Sequence, residues 1–351
     1  MKNFKVALLG FGNVGRALAG ILLEKDEDIR RRYGFGIVVT AIATHSKGTL
    51  YDAGGIDVAG ALRDIEELGH FSQDHPARVD MDALAVAHSA DYDALLEMTT
   101  LNIRTGQPAS DHIRAALKRG KHAITANKGP IAWQYRNLVE LAKESGVRFY
   151  FESTVMDGTP LFNLADQTLR MCEIREVSGI LNSTTNFILQ KLEEGLSYDE
   201  ALEEGRKLGI VEADPSLDID GYDPTAKIIA MANALMDADL TPDGVDRTGI
   251  ADIDREQILA AKKRGNVIKL ICRATRAGTA GSPGDGSVVA TVRPEEVPAG
   301  SIFAAVDGTS AVYSILTDYM GRLTMVEHDA MPLQTGYGVF GDILRILEEC
   351  D

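Results

Sequence analysis

The sequence predicts an α/β protein in two parts: a doubly wound parallel sheet, then a second α+β domain. Three observations lead there. Short apolar runs alternate with helix-period segments as far as about residue 150. Near the start of the chain an apolar run passes into Gly10-Phe11-Gly12-Asn13-Val14-Gly15 and then into a helical pattern. Beyond residue 150 the alternation stops, and separate helices precede a group of strands.

The first strand is expected from Phe4 to Leu9, followed by a helix through about Arg31. Further buried strands are expected at Ile37 to Thr44, Asp93 to Thr99, His122 to Ala126 and Val147 to Glu152, with helices at Asp111 to Arg119 and Trp133 to Glu144. Helical crossovers return the chain to the same end of the sheet, so these strands pair in parallel. This half occupies about residues 1–150. In residues 151–330 helices are expected at Tyr198 to Leu208, Thr225 to Met236 and Arg255 to Arg264. Strands at Val267 to Arg273, Ser287 to Val292 and Val312 to Leu316 would form one mixed sheet, with a hairpin loop at Gly278 to Gly286. Tyr337 to Glu349 reads as a final helix, and residues 335–351 are expected to return to the first domain.

The bulk properties exclude several classes of function. At 351 residues the chain is long enough for two domains, and 45% hydrophobic with 25% charged residues is ordinary for a soluble globular protein. A net charge of −16 argues against a nucleic-acid or anionic-membrane surface as partner. Cys172, Cys272 and Cys350 are odd in number and widely spaced, which supports neither a disulfide framework nor a zinc motif. A reducing compartment fits that usage, and no apolar run reaches membrane-spanning length. A soluble, cytoplasmic protein is expected. His70, His75, His88, His112, His122 and His328 show no paired metal spacing and read as surface or satisfied structural residues.

In the glycine motif the first Gly permits the tight turn, the second lets backbone approach a pyrophosphate, and the third lets helix and strand pack closely. The helix N-terminus then faces the phosphates. Strand, Gly-rich turn and helix in this order is the context a Rossmann-type dinucleotide site requires, so Gly10, Phe11, Gly12, Asn13, Val14 and Gly15 are assigned to cofactor binding. The acid that normally ends the second strand and binds a ribose 2′-hydroxyl is missing: from Ile29 to Tyr51 there is no Asp or Glu. The expected place reads Thr44-His45-Ser46-Lys47-Gly48, which suits a 2′-phosphate better. NADP is therefore favoured over NAD, with Lys47 and His45 as phosphate partners.

Between Ile210 and Lys227 the chain places five carboxylates ahead of one lysine. Asp223-Pro224 reads as a helix start, with Asp223 as cap and Lys227 one turn further on the same face. The positive end of a helix disfavours the Lys227 ammonium while the nearby carboxylates favour it, opposed influences that suit a proton-transferring lysine. By itself the segment is equally compatible with a solvated acidic loop and an incidental i,i+4 ion pair.

Three more segments extend the pattern: Thr125-Ala126-Asn127-Lys128-Gly129-Pro130, Glu152-Ser153-Thr154-Val155-Met156-Asp157-Gly158-Thr159-Pro160, and Gly179-Ile180-Leu181-Asn182-Ser183-Thr184-Thr185-Asn186-Phe187. With Glu212 through Lys227 they resemble, in order, the motifs of the homoserine dehydrogenase family, and the form without an appended regulatory domain is the nearest match. The resemblance implies NAD(P)-dependent interconversion of L-aspartate 4-semialdehyde and L-homoserine, the branch towards threonine and methionine. It also implies roles for single residues. Lys227 matches the proton donor, Asp223 its neighbouring acid and Lys128 the lysine beside the nicotinamide. Glu212, Asp218 and Thr184 match the substrate pocket, and Thr99 and Thr100 the nicotinamide-side contacts. A sodium or potassium ion bound largely by backbone oxygens would fall at Glu152, Val155, Asp157 and Thr159, with Gly158 providing the sharp turn. The partners implied are an amino-acid substrate and a second copy of the chain in a homodimer formed through the second domain. The departure from the family lies at residues 327–334, where a glycine-rich loop is usual and Glu327 and Asp329 stand instead. Two other readings follow from it: an NADP-dependent oxidoreductase acting on another amino-acid alcohol or aldehyde, and a catalytically silent nucleotide-binding protein.

Overall fold

The computed structural model describes residues 2–278 and 286–349. The chain forms two compact units, Met1–Asn163 together with Met331–Asp351, and Leu164–Ala330.

The first unit runs β1 (Lys2–Leu9), α1 (Asn13–Tyr33), β2 (Phe35–Ala43), β3 (Thr49–Tyr51), α2 (Val58–Leu68), β4 (Arg78–Val79), α3 (Ala83–Ser89), β5 (Ala94–Glu97), α4 (Ala109–Lys118), β6 (His122–Thr125), α5 (Lys128–Glu144) and β7 (Phe149–Tyr150). Its sheet has the order β4-β3-β2-β1-β5-β6-β7. The five strands from β2 to β7 in that order pair in parallel, as the alternation predicts. β3 and β4 add an antiparallel edge. Chain order reverses at β1, so a crevice opens between the C-terminal ends of β1 and β5, where doubly wound sheets take ligands.

Local chemistry explains the element boundaries. Val6 to Leu9 are fully buried, as befits a strand covered on both faces. α1 stops at Gly34, which adopts a left-handed conformation (φ 72°), and Arg30, Arg31 and Arg32 suit the negative end of the helix. α5 begins five residues before the expected Trp133. Asn127 caps it by accepting the Gly129 N–H at 3.0 Å, and Pro130 does no harm in a first turn, where an N–H would lack an intrahelical partner anyway. The fifth parallel strand is shorter than expected because residues from Glu152 onward leave the sheet for a 3₁₀ turn.

The chain enters the second unit within α6 (Phe162–Thr168) and continues through β8 (Ile174–Ile180), α7 (Ser183–Glu194), α8 (Tyr198–Lys207), α9 (Ser216–Ile219), α10 (Tyr222–Met236), β9 (Val245–Arg247), α11 (Arg255–Lys263), β10 (Asn266–Arg276), β11 (Val288–Pro298), β12 (Ala311–Thr317) and β13 (Arg322–Glu327). One mixed sheet of order β13-β12-β8-β10-β11-β9 results, antiparallel except where β9 joins β11. α10 packs against β8, β10 and β11 and buries Ala226, Ile228, Ile229, Ala230, Met231 and Ala232. The hairpin expected at Gly278 to Gly286 falls mainly on residues 279–285, outside the described residues.

α12 (Pro332–Glu349) belongs to the first unit. Val339, Phe340, Ile343, Ile346 and Leu347 enter the same core as Phe4, Leu8, Leu18 and Leu22. Glycines make this docking close. A Cβ on Gly158 would lie 2.1 Å from the Gln334 carbonyl oxygen, and one on Gly336 would lie 2.9 Å from the Leu18 nitrogen. The Asp342 carboxylate, also buried, accepts the Glu152 N–H at 3.0 Å.

Candidate active site

A cleft of about 1280 Å³ lies in the first unit, over the crevice between β1 and β5. Gly10, Phe11 and Gly12 form one wall. Gly10 takes φ 98°, and a Cβ there would lie 2.2 Å from the Met98 carbonyl oxygen, so no other residue fits without displacing the end of β5. Gly12 caps α1 and has open space around its missing Cβ, whereas a Cβ on Gly15 would come within 2.4 Å of the Gly10 oxygen. These three environments fit a dinucleotide: a tight turn, an unobstructed backbone at a helix N-terminus, and close helix-to-turn packing. The Phe11 side chain is turned inward against Phe71, leaving its backbone to the cleft. Asn13 and Val14 open α1, and the Asn13 amide oxygen accepts from Arg16 at 2.8 Å.

The opposite wall is the β2–β3 turn. Thr44 Oγ1 donates to the Gly48 oxygen at 2.8 Å and accepts the Lys47 N–H at 2.9 Å, which presents His45, Ser46 and Lys47 to the cleft. Sequence reasoning missed Arg78 here. It lies on the short strand β4, and its guanidinium packs so closely on the turn that a Cβ on Gly48 would meet Nη1 at 2.7 Å. Nothing in the sequence spacing pairs residue 78 with residue 47; the antiparallel edge does. Thr99 and Thr100 line the floor. Lys128 is the first residue of α5, directly after the Asn127 cap.

In the second unit the expected proton-transfer residues come together. Lys227 Nζ donates to the Leu181 carbonyl oxygen at 2.7 Å and lies 3.4 Å from Asp223 Oδ2, with both side chains largely buried. Asp223 does not cap its helix. The cap is Gly221, in a left-handed conformation (φ 80°), and Asp223 lies inside the first turn, where its carboxylate meets Lys227 and Asn182. Asn182, absent from the expected site, ties the cluster together. Its Nδ2 donates to Asp218 Oδ1 at 2.7 Å and to Asp223 Oδ2 at 3.0 Å, while its Oδ1 caps α7 through the Thr185 N–H. The sequence signal was an Asn immediately before Ser-Thr-Thr, an ordinary N-cap pattern that does not announce two carboxylate partners. Burial, and next the Asp223 carboxylate, hold the Asp218 carboxyl above the usual range, against the opposing pull of its Asn182 hydrogen bond. Thr184 is buried beside the cluster and donates to the Ile210 oxygen at 3.3 Å. Glu212 is exposed and forms no hydrogen bond or ion pair among the described residues, so the structure does not join it to this cluster. Cys272 is fully buried, and burial pushes its thiol up to about 12, the environment of a structural rather than a reactive cysteine.

The segment from Glu152 to Thr159 departs from the expected cage in two respects. The Glu152 carboxylate accepts backbone N–H groups of Leu161, Phe162 and Asn163 at the start of α6, and Asp157 Oδ1 accepts from Thr335 Oγ1 at 2.6 Å. Both acids are thus engaged in the protein's own bonds, Glu152 through both carboxylate oxygens and Asp157 through Oδ1. The left-handed residue of this turn is Asp157 (φ 43°), not Gly158, whose missing Cβ instead makes room for α12. Among the described residues no group of three or more His, Cys, Asp or Glu side chains is placed to hold a metal ion, and no helix is long and apolar enough to cross a membrane.

Comparison with known proteins identifies the family. The family model described as homoserine dehydrogenase matches residues 160–344, and that of the homoserine dehydrogenase NAD binding domain matches residues 10–152. The homoserine dehydrogenase of Methanocaldococcus jannaschii is 37% identical over 342 residues, covering 97% of this chain and 98% of that protein. The NAD(+)-dependent homoserine dehydrogenase of Pseudomonas canavaninivorans is 34% identical over 346 residues, covering 99% and 97%. Among solved structures, a hyperthermophilic archaeal homoserine dehydrogenase in complex with NADPH aligns with a TM-score of 0.82 at 27% identity, covering 99% of this chain and 98% of that one. With both halves matched and full-length relatives above 30% identity, the chain belongs to the homoserine dehydrogenase family.

Proposed function

We propose that this chain interconverts L-homoserine and L-aspartate 4-semialdehyde with a nicotinamide dinucleotide, that Lys227 moves the proton, and that NADP is preferred. The observation that carries the proton-transfer role is the seat of Lys227, one turn into α10, held by the Leu181 carbonyl and beside Asp223. An aldehyde that receives hydride develops alkoxide charge; an ammonium beside it stabilises that charge and supplies the proton. Asp223 holds the ammonium in place. Asp218, steadied by Asn182, and the exposed Glu212 receive the polar ends of the amino-acid substrate, with Thr184 lining the same pocket.

A nicotinamide dinucleotide bound in the cleft would supply or accept the hydride. Gly10, Gly12 and Gly15 admit its pyrophosphate, and Thr99, Thr100 and Lys128 stand at the nicotinamide side. The preference for NADP rests on the turn that carries His45 and Lys47, reinforced by Arg78, where an acid would select a bare ribose. Relatives described as NAD(+)-dependent and as complexed with NADPH both match the chain, so that turn bears the argument. A monovalent cation held by backbone oxygens of the Glu152–Thr159 segment, a homodimer formed through the second unit and a cytoplasmic location complete the reading.

The test is nucleotide reduction by purified protein with L-homoserine at alkaline pH. NADP should give a kcat/KM at least ~10-fold above that for NAD, and Lys227→Ala should lower kcat/KM by about 10³-fold while leaving the Kd for NADP within about twofold. Equal loss of nucleotide binding and turnover in that variant would remove Lys227 from its role.

A further inference from the structure

Glu97 closes β5 with its carboxylate entirely buried. A carboxylate removed from water needs donors or a counter-charge. Its donors are the Thr99 N–H at 3.1 Å, the Thr99 hydroxyl, and Thr125 Oγ1 at 3.2 Å. The basic side chain within ion-pair distance of it is His112 of α4, with Nδ1 lying 3.6 Å from Oε1. His112 is 2% exposed and forms part of the cleft wall, and its Nδ1 has no hydrogen-bond partner among the described residues. A polar atom is therefore left unsatisfied a few tenths of an ångström beyond bonding range of a buried acid.

The residues tied to Glu97 lead to both loops of the cleft floor. The Thr99 carbonyl accepts Asn127 Nδ2 at 3.3 Å, Thr125 Oγ1 accepts the Asn127 N–H at 2.9 Å, and Asn127 caps α5, whose first residue is Lys128. The Met98 oxygen lies directly beneath Gly10 of the phosphate turn. One buried pair thus underlies the loop after β5, the loop after β6 and the turn after β1.

We propose that His112 is a positioning residue of the nucleotide cleft: facing Glu97 through Nδ1, it fixes the Thr99–Thr100 and Asn127–Lys128 loops in the arrangement that accepts the nicotinamide half of the cofactor. This rests on the reading of the cleft as a nicotinamide-nucleotide site. His112→Leu fills the volume and removes the donor; His112→Asn keeps a short donor to face Glu97. Calorimetry with NADP alone, backbone hydrogen exchange at Thr99 and Asn127 without nucleotide, and thermal unfolding are measured for both variants. His112→Leu is expected to weaken NADP binding by about tenfold or more and to speed exchange at Thr99 and Asn127, and His112→Asn to restore binding to within about threefold of the parent. Unchanged affinity and exchange in His112→Leu overturns the proposal. So does a fall in unfolding temperature with the Kd unaltered, since that marks a residue that only packs, and so does equal loss in the two variants, since the donor is then immaterial. If the parent protein itself binds neither NADP nor NAD, it is the reading of the cleft that fails, a result separable from any behaviour of the variants.

Discussion

At the scale of single residues, Asn182 shows how one amide can manage two acids. Asp218 and Asp223 both accept from its Nδ2, and without it two carboxylates would face each other across a partly buried gap. Asp218 already ionises above the usual carboxylate range through burial and the proximity of Asp223. If it must be charged to hold substrate, kcat/KM falls as pH drops through that raised value. Asn182→Ala is expected to move this acid limb to higher pH and to lower kcat/KM about tenfold at the optimum. A kcat/KM profile between pH 5 and 9 checks it, and an unmoved limb would separate Asn182 from the titration. Lys227, Asp223 and Asp218 were legible in the sequence because their spacing is local, within one short helix and the first turns of the next. Asn182 and Arg78 were not, since each reaches its partners only through sheet pairing or helix placement across some 30 to 40 residues of chain.

At the scale of elements, several long periodic segments were readable, but α2, α7, β8 and β13 were not expected, and neither were the shortest strands. β1, α1, α8, α10 and α11 lie close to expectation; α8 and α11 each start with a full capping box, Ser197 with Glu200 and Asp254 with Gln257. β3, β4 and β9 are two or three residues long and carry no period to detect. The same limit hid α12's first turn, whose Pro332 suits a helix start but follows no clear cap. What fastens α12 is partly electrostatic and has a measurable sign. Burial lifts the Asp342 carboxyl to about 7, aided by the Glu152 carboxylate and opposed by the Glu152 N–H, Asn163 and Arg345. Glu152 itself is raised by burial against the pull of three backbone donors. The folded chain keeps a proton on Asp342 that the unfolded chain has lost above its ordinary value of 3.8. Stability is therefore full below about pH 4, falls as pH rises through about 7, and is level beyond. Asp342→Asn, neutral throughout and still able to accept the Glu152 N–H, should flatten this slope and gain on the order of a few kcal/mol at pH 8 while changing little at pH 4. Urea midpoints across that range decide it; parallel curves would mean that Asp342 does not titrate there.

At the scale of the whole molecule, the first unit is made from two separated stretches of chain. The five apolar side chains that α12 contributes to its core represent roughly 8–15 kcal/mol of burial at about 1.5–3 kcal/mol each, comparable with the ~5–15 kcal/mol that holds a typical domain together. A chain ending at Ala330 should accordingly lose nucleotide binding and yield to limited proteolysis throughout residues 1–163; retention of a protease-resistant nucleotide-binding fragment would contradict this. The same discontinuity sets an order of events during synthesis. With Asn163 and Met331 separated by 167 intervening residues, a ribosome adding ~5–20 residues each second leaves the groove beside α1 open for roughly 10–30 s before α12 can fill it. In that interval Leu18, Leu22 and their neighbours present a bare apolar seam to solvent or to a chaperone. The nascent chain is thus most vulnerable to aggregation while its second unit is being made, although the vulnerable surface belongs to the first.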